Sequence, residues 1–130
     1  MGLDIASDSH DFRAGSYSSF SEFREWLAIK LGYRNYDAYC EATKEAVGKW
    51  KDEWGMKEYA NKTKLGAIMW HSDCDGYIPE RFVKQLKEEL IEIKKSLIPL
   101  GKLLMSDDEQ WYRDRLNNWI KACEGKIYFG

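Results

Sequence analysis

Apolar residues in the first half of the chain recur every three or four positions in two segments, a spacing that places them on one face of a helix. The first segment opens with Ser19 to Glu22, the spacing of a capping box, in which serine and glutamate side chains satisfy free backbone N–H groups. Gly32 follows it as a left-handed stop. The second segment covers Tyr36 to Val47. We predict a helix in each segment.

The second half of the chain contains two further helical segments. The third begins at Pro79, because proline at the first helical position loses no hydrogen bond, and its apolar face extends to Leu97. The fourth opens with a second capping-box spacing, Ser106 to Glu109, and Gly125 ends it. We predict that the apolar faces of these helices cover the core.

Short alternating segments mark the two ends of the chain. Residues 2–6, GLDIA, and residues 127–129, IYF, alternate apolar and polar side chains, which predicts two strands that could pair with each other. A polar loop is expected from Ser7 to Tyr17. The apolar run Leu65 to Trp70 is too short for its period to separate a strand from a buried helix, and we interpret it as a central strand. The expected fold is α+β: one globular domain over residues 1–130, with a small sheet of N-terminal, central and C-terminal strands covered by about four helices.

Composition and charge narrow the function classes. The 130 residues are 44% hydrophobic and 32% charged, with a formal net charge of -2, so the overall charge does not favour nucleic acid or an anionic membrane as a partner. No apolar stretch is long enough to cross a bilayer, and the N-terminus lacks the features of a secretion signal. Cys40, Cys74 and Cys123 show no CxxC spacing, which favours reduced thiols. We expect a cytoplasmic protein without a structural disulfide.

The stretch HSDCDGYIPERF matches the middle of a calcium-binding loop through Asp73 and Asp75. His71 and Phe82 stand where that loop places its first and last carboxylates, which argues against calcium. We favour a tight turn that leads into the third helix, in which the short carboxylates accept backbone N–H bonds. An acid/base or transition-metal group made of the histidine and the two aspartates remains an alternative.

A second candidate site is the stretch DFRAGSYSSF, residues 11–20, at the predicted start of the first helix. Helix N-termini present free N–H groups and a partial positive charge, and glycine and serine let phosphate oxygens approach closely. An anion could bind there, with a guanidinium for a bidentate contact and an aromatic ring to stack on a base. The residues of this predicted site are Arg13, Gly15, Ser16, Tyr17, Ser18 and Ser19. The alternative is that the serines only cap the helix and that the arginine is a solvated surface residue.

Four stretches of the sequence together resemble a family of small, largely uncharacterised proteins of bacteriophages and prophages. They are MGLDI, SYSSFSEFREWLA, HSDCDGYIP and ACEGKIYFG. The resemblance covers nearly the whole chain, and HSDCDG is its most specific part. It brings no settled activity, but it implies a phage setting, in which compact accessory proteins often act against host defences.

These observations leave two main hypotheses, neither of which requires catalysis, a metal or another cofactor. In the first, the protein binds and sequesters a small phosphorylated, nucleotide-derived immune signal in the cytosol of the host, with aromatic rings for the base and the Arg13 stretch for the phosphates. In the second, aromatic residues between Trp50 and Tyr59 bind and block a host defence enzyme. A small hydrolase or metal-binding protein centred on His71, Asp73 and Asp75 is a third alternative. A chain of this length could also form a homodimer that shares a pocket.

Overall fold

The computed structural model describes residues 2–47, 63–70, 76–97 and 107–130. Within these ranges the chain forms a four-stranded sheet and five helices. In chain order the elements are β1 (Gly2–Ala6), β2 (Asp11–Ser16), α1 (Tyr17–Lys30), α2 (Tyr36–Val47), α3 (Gly66–Met69), β3 (Gly76–Ile78), α4 (Glu80–Ser96), α5 (Asp107–Ala122) and β4 (Ile127–Phe129). The predicted α+β class is confirmed.

The sheet is antiparallel throughout and has the strand order β2-β1-β4-β3. β1 pairs with β2 on one side and with β4 on the other, so that Ile5 lies opposite Phe129. The predicted pairing between the two ends of the chain is therefore confirmed. β3 pairs with the far side of β4, with Tyr77 opposite Tyr128. In the described part of the sheet, β2 and β3 are the edge strands.

The stretch from Ser7 to Tyr17, predicted as a polar loop, contains strand β2 and the first residue of α1. The loop prediction was wrong because the stretch alternates between two faces. Ala14 is buried and Phe12 packs against the core, whereas Asp11 and Arg13 are exposed. A strand of an antiparallel sheet can keep one face in water, and here the many polar residues masked the period of two.

The run from Leu65 to Trp70 was predicted as the central strand, but it contains the short helix α3. All four residues of α3 are buried. A helix that is buried on every side has no amphipathic period, so its sequence resembles that of a buried strand. The central part of the chain does supply a strand, β3, which begins at Gly76 in the HSDCDG motif.

The longer helices follow the predicted segments with small shifts at their starts. α2 has the predicted bounds, and α4 begins one residue after Pro79, which is its N-cap. α1 begins at Tyr17, two residues before the predicted Ser19, because Ser16 is its N-cap. The serine predicted to cap α5 lies outside the described residues. Among the helices in the described ranges, none is long and apolar enough to cross a membrane.

The core lies between the helices and the inner face of the sheet. That face consists of Leu3, Ile5, Ala14, Ile78, Ile127 and Phe129, all of them buried. Trp119 of α5 is fully buried against it, with its ring centroid 5.7 Å from that of Phe129. The rings of Phe12 and Phe20 lie 5.4 Å and 6.0 Å from the same indole. The helices therefore cover one face of the sheet, and the residues that alternate with these form the opposite face.

Two of the three cysteines lie within the described residues. Cys40 and Cys123 are free thiols, and Cys74 lies outside the described residues. Burial raises the pKa of Cys123 to about 12, and burial also raises the pKa of Cys40. Neither thiol therefore forms the reactive thiolate readily at neutral pH.

A partly buried hydrogen bond holds the turn before α3. The backbone N–H of Leu65 donates to a carboxylate oxygen of Glu89 in α4, at 2.9 Å. Burial raises the pKa of Glu89, although the Leu65 N–H and the amide of Gln85 both donate to its carboxylate and oppose that shift. The folded protein consequently holds the proton of Glu89 more tightly than the unfolded chain does.

This shift gives Glu89 a defined effect on stability as pH changes. Because the folded pKa lies above the ordinary value of 4.5, its contribution is fully present below that value and is lost as the pH rises through the folded pKa. Glu89→Gln keeps an acceptor for Leu65 but never ionises. We expect urea denaturation to show the variant gaining stability relative to the wild type between pH 4 and pH 7. A difference that stays constant over this interval would show that burial of Glu89 has no such effect.

Candidate functional site

The predicted anion site around Arg13 is not a loop in the structure. Arg13 lies on strand β2, and its side chain is on the exposed face, opposite Asp4 of β1. Its Nη1 atom lies 3.2 Å from Oδ1 of Asp4, and the two side chains are 61% and 62% exposed. Exposed ion pairs of this kind contribute about 0–1 kcal/mol. Arg13 is therefore accessible to an anion, but a ligand would have to compete with the carboxylate of Asp4.

The serines of the same stretch form the start of α1. The hydroxyl of Ser16 accepts the backbone N–H of Ser19 at 3.1 Å, and the two hydroxyl oxygens lie 3.0 Å apart. Gly15 has φ +96, and a Cβ at this position would lie 3.0 Å from the Cβ of Ser19. The cap thus takes a backbone donor that a bound phosphate would otherwise use. Ser18 is exposed on the first turn, and Tyr17 begins the helix.

His71, Asp73 and Asp75 lie outside the described residues, as does the aromatic segment from Trp50 to Tyr59. The turn, calcium, acid/base and protein-binding hypotheses for these segments therefore stay predictions. In the described ranges, no group of three or more histidine, cysteine or carboxylate side chains could hold a metal ion.

The structure brings a different set of residues together on the solvent-facing side of the sheet, here called the outer face. Strand register places one row of residues across all four strands: Asp11 opposite Ala6, Ala6 opposite Tyr128, and Tyr128 opposite Tyr77. A second row contains Arg13, Asp4 and Gly130, because Asp4 and Gly130 exchange two backbone hydrogen bonds of 3.0 Å. Paired residues of antiparallel strands point their side chains to the same face, so these two rows form one surface.

Two tyrosines dominate this surface. Tyr77 and Tyr128 are 46% and 50% exposed, and their ring centroids lie 6.2 Å apart at an interplanar angle of 45°. The neighbours of Tyr128 toward β1 are small: Ala6 lies opposite it, and Gly130, which has no side chain, follows two residues later. Among the described residues, a side chain added at Gly130 would meet nothing within 4 Å. These small neighbours leave room for a flat ligand beside the Tyr128 ring.

A lysine completes the aromatic pair. Nζ of Lys126 lies 4.6 Å from the ring centroid of Tyr77 and 5.7 Å from that of Tyr128. Both distances are within the range of cation–π attraction. We call Tyr77, Tyr128 and Lys126 the tyrosine platform. It combines two half-exposed tyrosines with one positive charge.

The charges around the platform are balanced. Lys126 and Arg13 contribute two cations to the outer face, and Asp4 and Asp11 contribute two carboxylates. Ideal spacings of about 4.8 Å between strands and about 3.4 Å per residue put the Cα atoms of Arg13 and Tyr128 roughly 12 Å apart. The platform and Arg13 thus lie on the same surface, with the Cα atoms of Arg13 and Tyr128 two strands apart.

Sequence patterns indicated part of this surface. The alternation in residues 127–129 predicted a terminal strand, which is confirmed, and in it Tyr128 is exposed between the buried Ile127 and Phe129. Tyr77 was missed because its segment was assigned to a turn, although it alternates with the buried Ile78. Lys126 could not be found from sequence, because its contacts depend on how β3 and β4 pair.

Comparison with known proteins identifies no relative of this chain: no protein-family model, no curated protein and no solved structure matches it.

Proposed function

We propose that this chain is a non-catalytic binding module that captures a small nucleotide-like ligand on the outer face of its sheet. The observation that carries the proposal is the tyrosine platform, in which two exposed, adjacent rings lie beside a lysine ammonium. The base would stack on the Tyr128 ring, and the ammonium of Lys126 would bind the phosphate. This keeps the ligand class that the sequence indicated but moves the site from the start of α1 to the platform.

The exposure of the tyrosines supports a stacking role. Tyr77 and Tyr128 are about half exposed, on a face whose opposite face already forms the core. Stacking of a base on an aromatic side chain contributes about 1–3 kcal/mol and does not depend on the identity of the base. The small residues Ala6 and Gly130 beside Tyr128 leave room for a planar ring system.

The charge pattern favours a small ligand over a nucleic acid strand. A polynucleotide is bound by tracks of lysine and arginine that neutralise successive phosphates. The outer face instead has two carboxylates, on Asp4 and Asp11, that would repel such a track. A ligand with one or two phosphates needs only Lys126, and Arg13 could add a second contact if it released Asp4.

The resemblance of the sequence to phage proteins leads to the biological part of the proposal. In that setting the ligand is a nucleotide-derived immune signal of the host, and the protein acts in the host cytosol by sequestering it. Sequestration requires affinity and no chemical step. The raised pKa values of Cys40 and Cys123 are consistent with this, because they disfavour both thiols as nucleophiles.

The proposal predicts that removing one ring abolishes most of the affinity. Isothermal titration of mononucleotides, cyclic nucleotides and ADP-ribose-type nucleotides identifies the best ligand of the wild type. Tyr128→Ala should then weaken its binding by about 5- to 150-fold, the equivalent of one lost stacking contact of about 1–3 kcal/mol. The melting temperature should change little, because the ring is half exposed.

Two matched variants make this test specific. Tyr128→Phe keeps the ring and should retain most of the affinity. Ile29→Ala removes an apolar side chain that is also 50% exposed but lies on α1, so its affinity should equal that of the wild type. A wild type that binds none of these nucleotides, or a Tyr128→Ala variant that binds them equally well, would contradict the proposed function.

A further inference from the structure

Lys126 is positioned by a tight turn between α5 and β4. Gly125, the residue before it, has φ +70, and a Cβ at that position would lie 2.9 Å from Cγ of Asp8. The turn therefore requires glycine, and it directs the next residue onto the outer face. Lys126 is partly buried, with its ammonium above both tyrosine rings.

The lysine occupies the surface that a ligand needs. Nζ lies nearer to the ring of Tyr77, at 4.6 Å, than to that of Tyr128, at 5.7 Å. A base stacked on the face of Tyr128 toward the ammonium leaves no room for it there, so binding on that face displaces Lys126. Ion pairs within the described residues involve other side chains, and Lys126 has the rings as its observed partner.

We propose that Lys126 makes the platform selective for phosphorylated ligands over their uncharged nucleosides. A base that binds without a phosphate removes the cation–π contact of Lys126 and gives the displaced ammonium no new partner. A nucleotide removes the same contact, but its phosphate gives the displaced ammonium a charge-assisted hydrogen bond. Lys126 thus lowers the affinity for the nucleoside and raises the affinity for the nucleotide. This inference rests on the proposed function and adds the chemical class that the site selects.

The test compares matched ligand pairs with matched variants. Adenosine and adenosine 5′-monophosphate, and guanosine and guanosine 5′-monophosphate, are titrated into the wild type, Lys126→Met and Lys126→Arg. Methionine keeps a flexible apolar stem without charge, and arginine keeps a cation. Lys30→Met is the control, because Lys30 also has its ammonium above a ring, that of Trp26 at 5.5 Å, but on α1.

We expect Lys126→Met to change the affinities for the nucleoside and the monophosphate in opposite directions. The wild type should prefer the monophosphate by at least about tenfold, the magnitude of one charge-assisted hydrogen bond. In Lys126→Met the monophosphate should bind more weakly, whereas the nucleoside should bind about two- to fivefold more tightly because it no longer displaces a cation. Lys126→Arg should keep the preference, and Lys30→Met should match the wild type.

The outcomes separate this inference from the function on which it rests. If nucleotides bind, Tyr128→Ala weakens them, and Lys126→Met leaves the ratio of monophosphate to nucleoside affinity unchanged, the role of Lys126 is wrong and the platform stands. If Lys30→Met changes the ratio as much as Lys126→Met does, the effect is one of overall charge, and the inference is likewise overturned. If neither ligand of either pair binds the wild type or any variant, the role of Lys126 is overturned, and the proposed function fails with it when the cyclic and ADP-ribose-type nucleotides do not bind either.

Discussion

Replacing Trp119 with alanine is expected to lower the free energy of unfolding by about 3–5 kcal/mol, the usual cost of removing a buried tryptophan from a core. Trp119 has no solvent exposure and contacts the rings of Phe12, Phe20 and Phe129. These partners come from β2, α1 and β4, so the indole connects three elements that are distant in sequence. The cavity left by alanine would loosen α5 from the sheet.

The measurement is urea denaturation monitored by circular dichroism, with the melting temperature as a second observable. For a domain of this size the melting temperature should fall by about 10–20 °C. Trp111→Ala is the control: Trp111 is on the same helix but only partly buried, with Arg115 stacked 4.3 Å above its ring. Trp111→Ala should lower the free energy of unfolding by less than half as much as Trp119→Ala does. Equal losses for the two variants would show that the packing around Trp119 is not the centre of the core.

A phenylalanine variant separates the size of the Trp119 side chain from its polarity. The indole N–H of Trp119 is buried and has no acceptor within the described residues. A buried donor without a partner costs about 1–3 kcal/mol, which Trp119→Phe would remove while it keeps an aromatic ring. We therefore expect this variant to lose less than about 2 kcal/mol. A loss as large as that of alanine would imply that the N–H is satisfied in solution.

The sequence predicted best those segments that keep one face exposed to solvent. α2 and β4 each expose one side, and both lie where the periodicity placed them. α3 is buried on every side, so the period that identifies a helix was missing. β2 does alternate, but its sequence DFRAGS contains aspartate, glycine and serine, which are also typical of turns.

Prediction of the candidate site from sequence was limited for a different reason. Arg13 was singled out for its chemistry, which a sequence displays directly, and the structure places it on an accessible surface beside Asp4. The tyrosine platform depends on register: Tyr77 and Tyr128 are 51 residues apart and become neighbours only because β3 pairs with β4. Pairing between strands is set by the packing of the inner face, which no local pattern specifies.

At Leu65 we expect the glycine variant to be more stable than the alanine variant, the reverse of the usual order. Leu65 is the one residue other than glycine with positive φ in the described ranges, at φ 60, and its side chain is fully buried. A left-handed conformation costs a residue with a Cβ about 1–2 kcal/mol, whereas burial of a leucine is worth about 2–5 kcal/mol. The side chain therefore holds the backbone in a conformation that leucine alone would avoid. The N–H of Leu65 supports this geometry by donating to Glu89.

We expect Leu65→Ala to lower the free energy of unfolding by about 2–5 kcal/mol, because it loses the buried side chain and keeps the strain. Leu65→Gly loses the same side chain but relieves the strain, so it should be more stable than the alanine variant by about 1 kcal/mol. Leu90 is the control, since it is equally buried but lies inside α4. There glycine should be less stable than alanine by about 1 kcal/mol.

Urea denaturation of the four variants gives the sign of the glycine–alanine difference at each site. Opposite signs at Leu65 and Leu90 would show that the left-handed turn before α3 persists in solution and that burial of one side chain maintains it. The same sign at both sites would mean that the chain at Leu65 relaxes to negative φ once the side chain is shortened. In that case the contact with Glu89 should weaken as well, and the pH dependence expected for Glu89 should be smaller in Leu65→Ala than in the wild type.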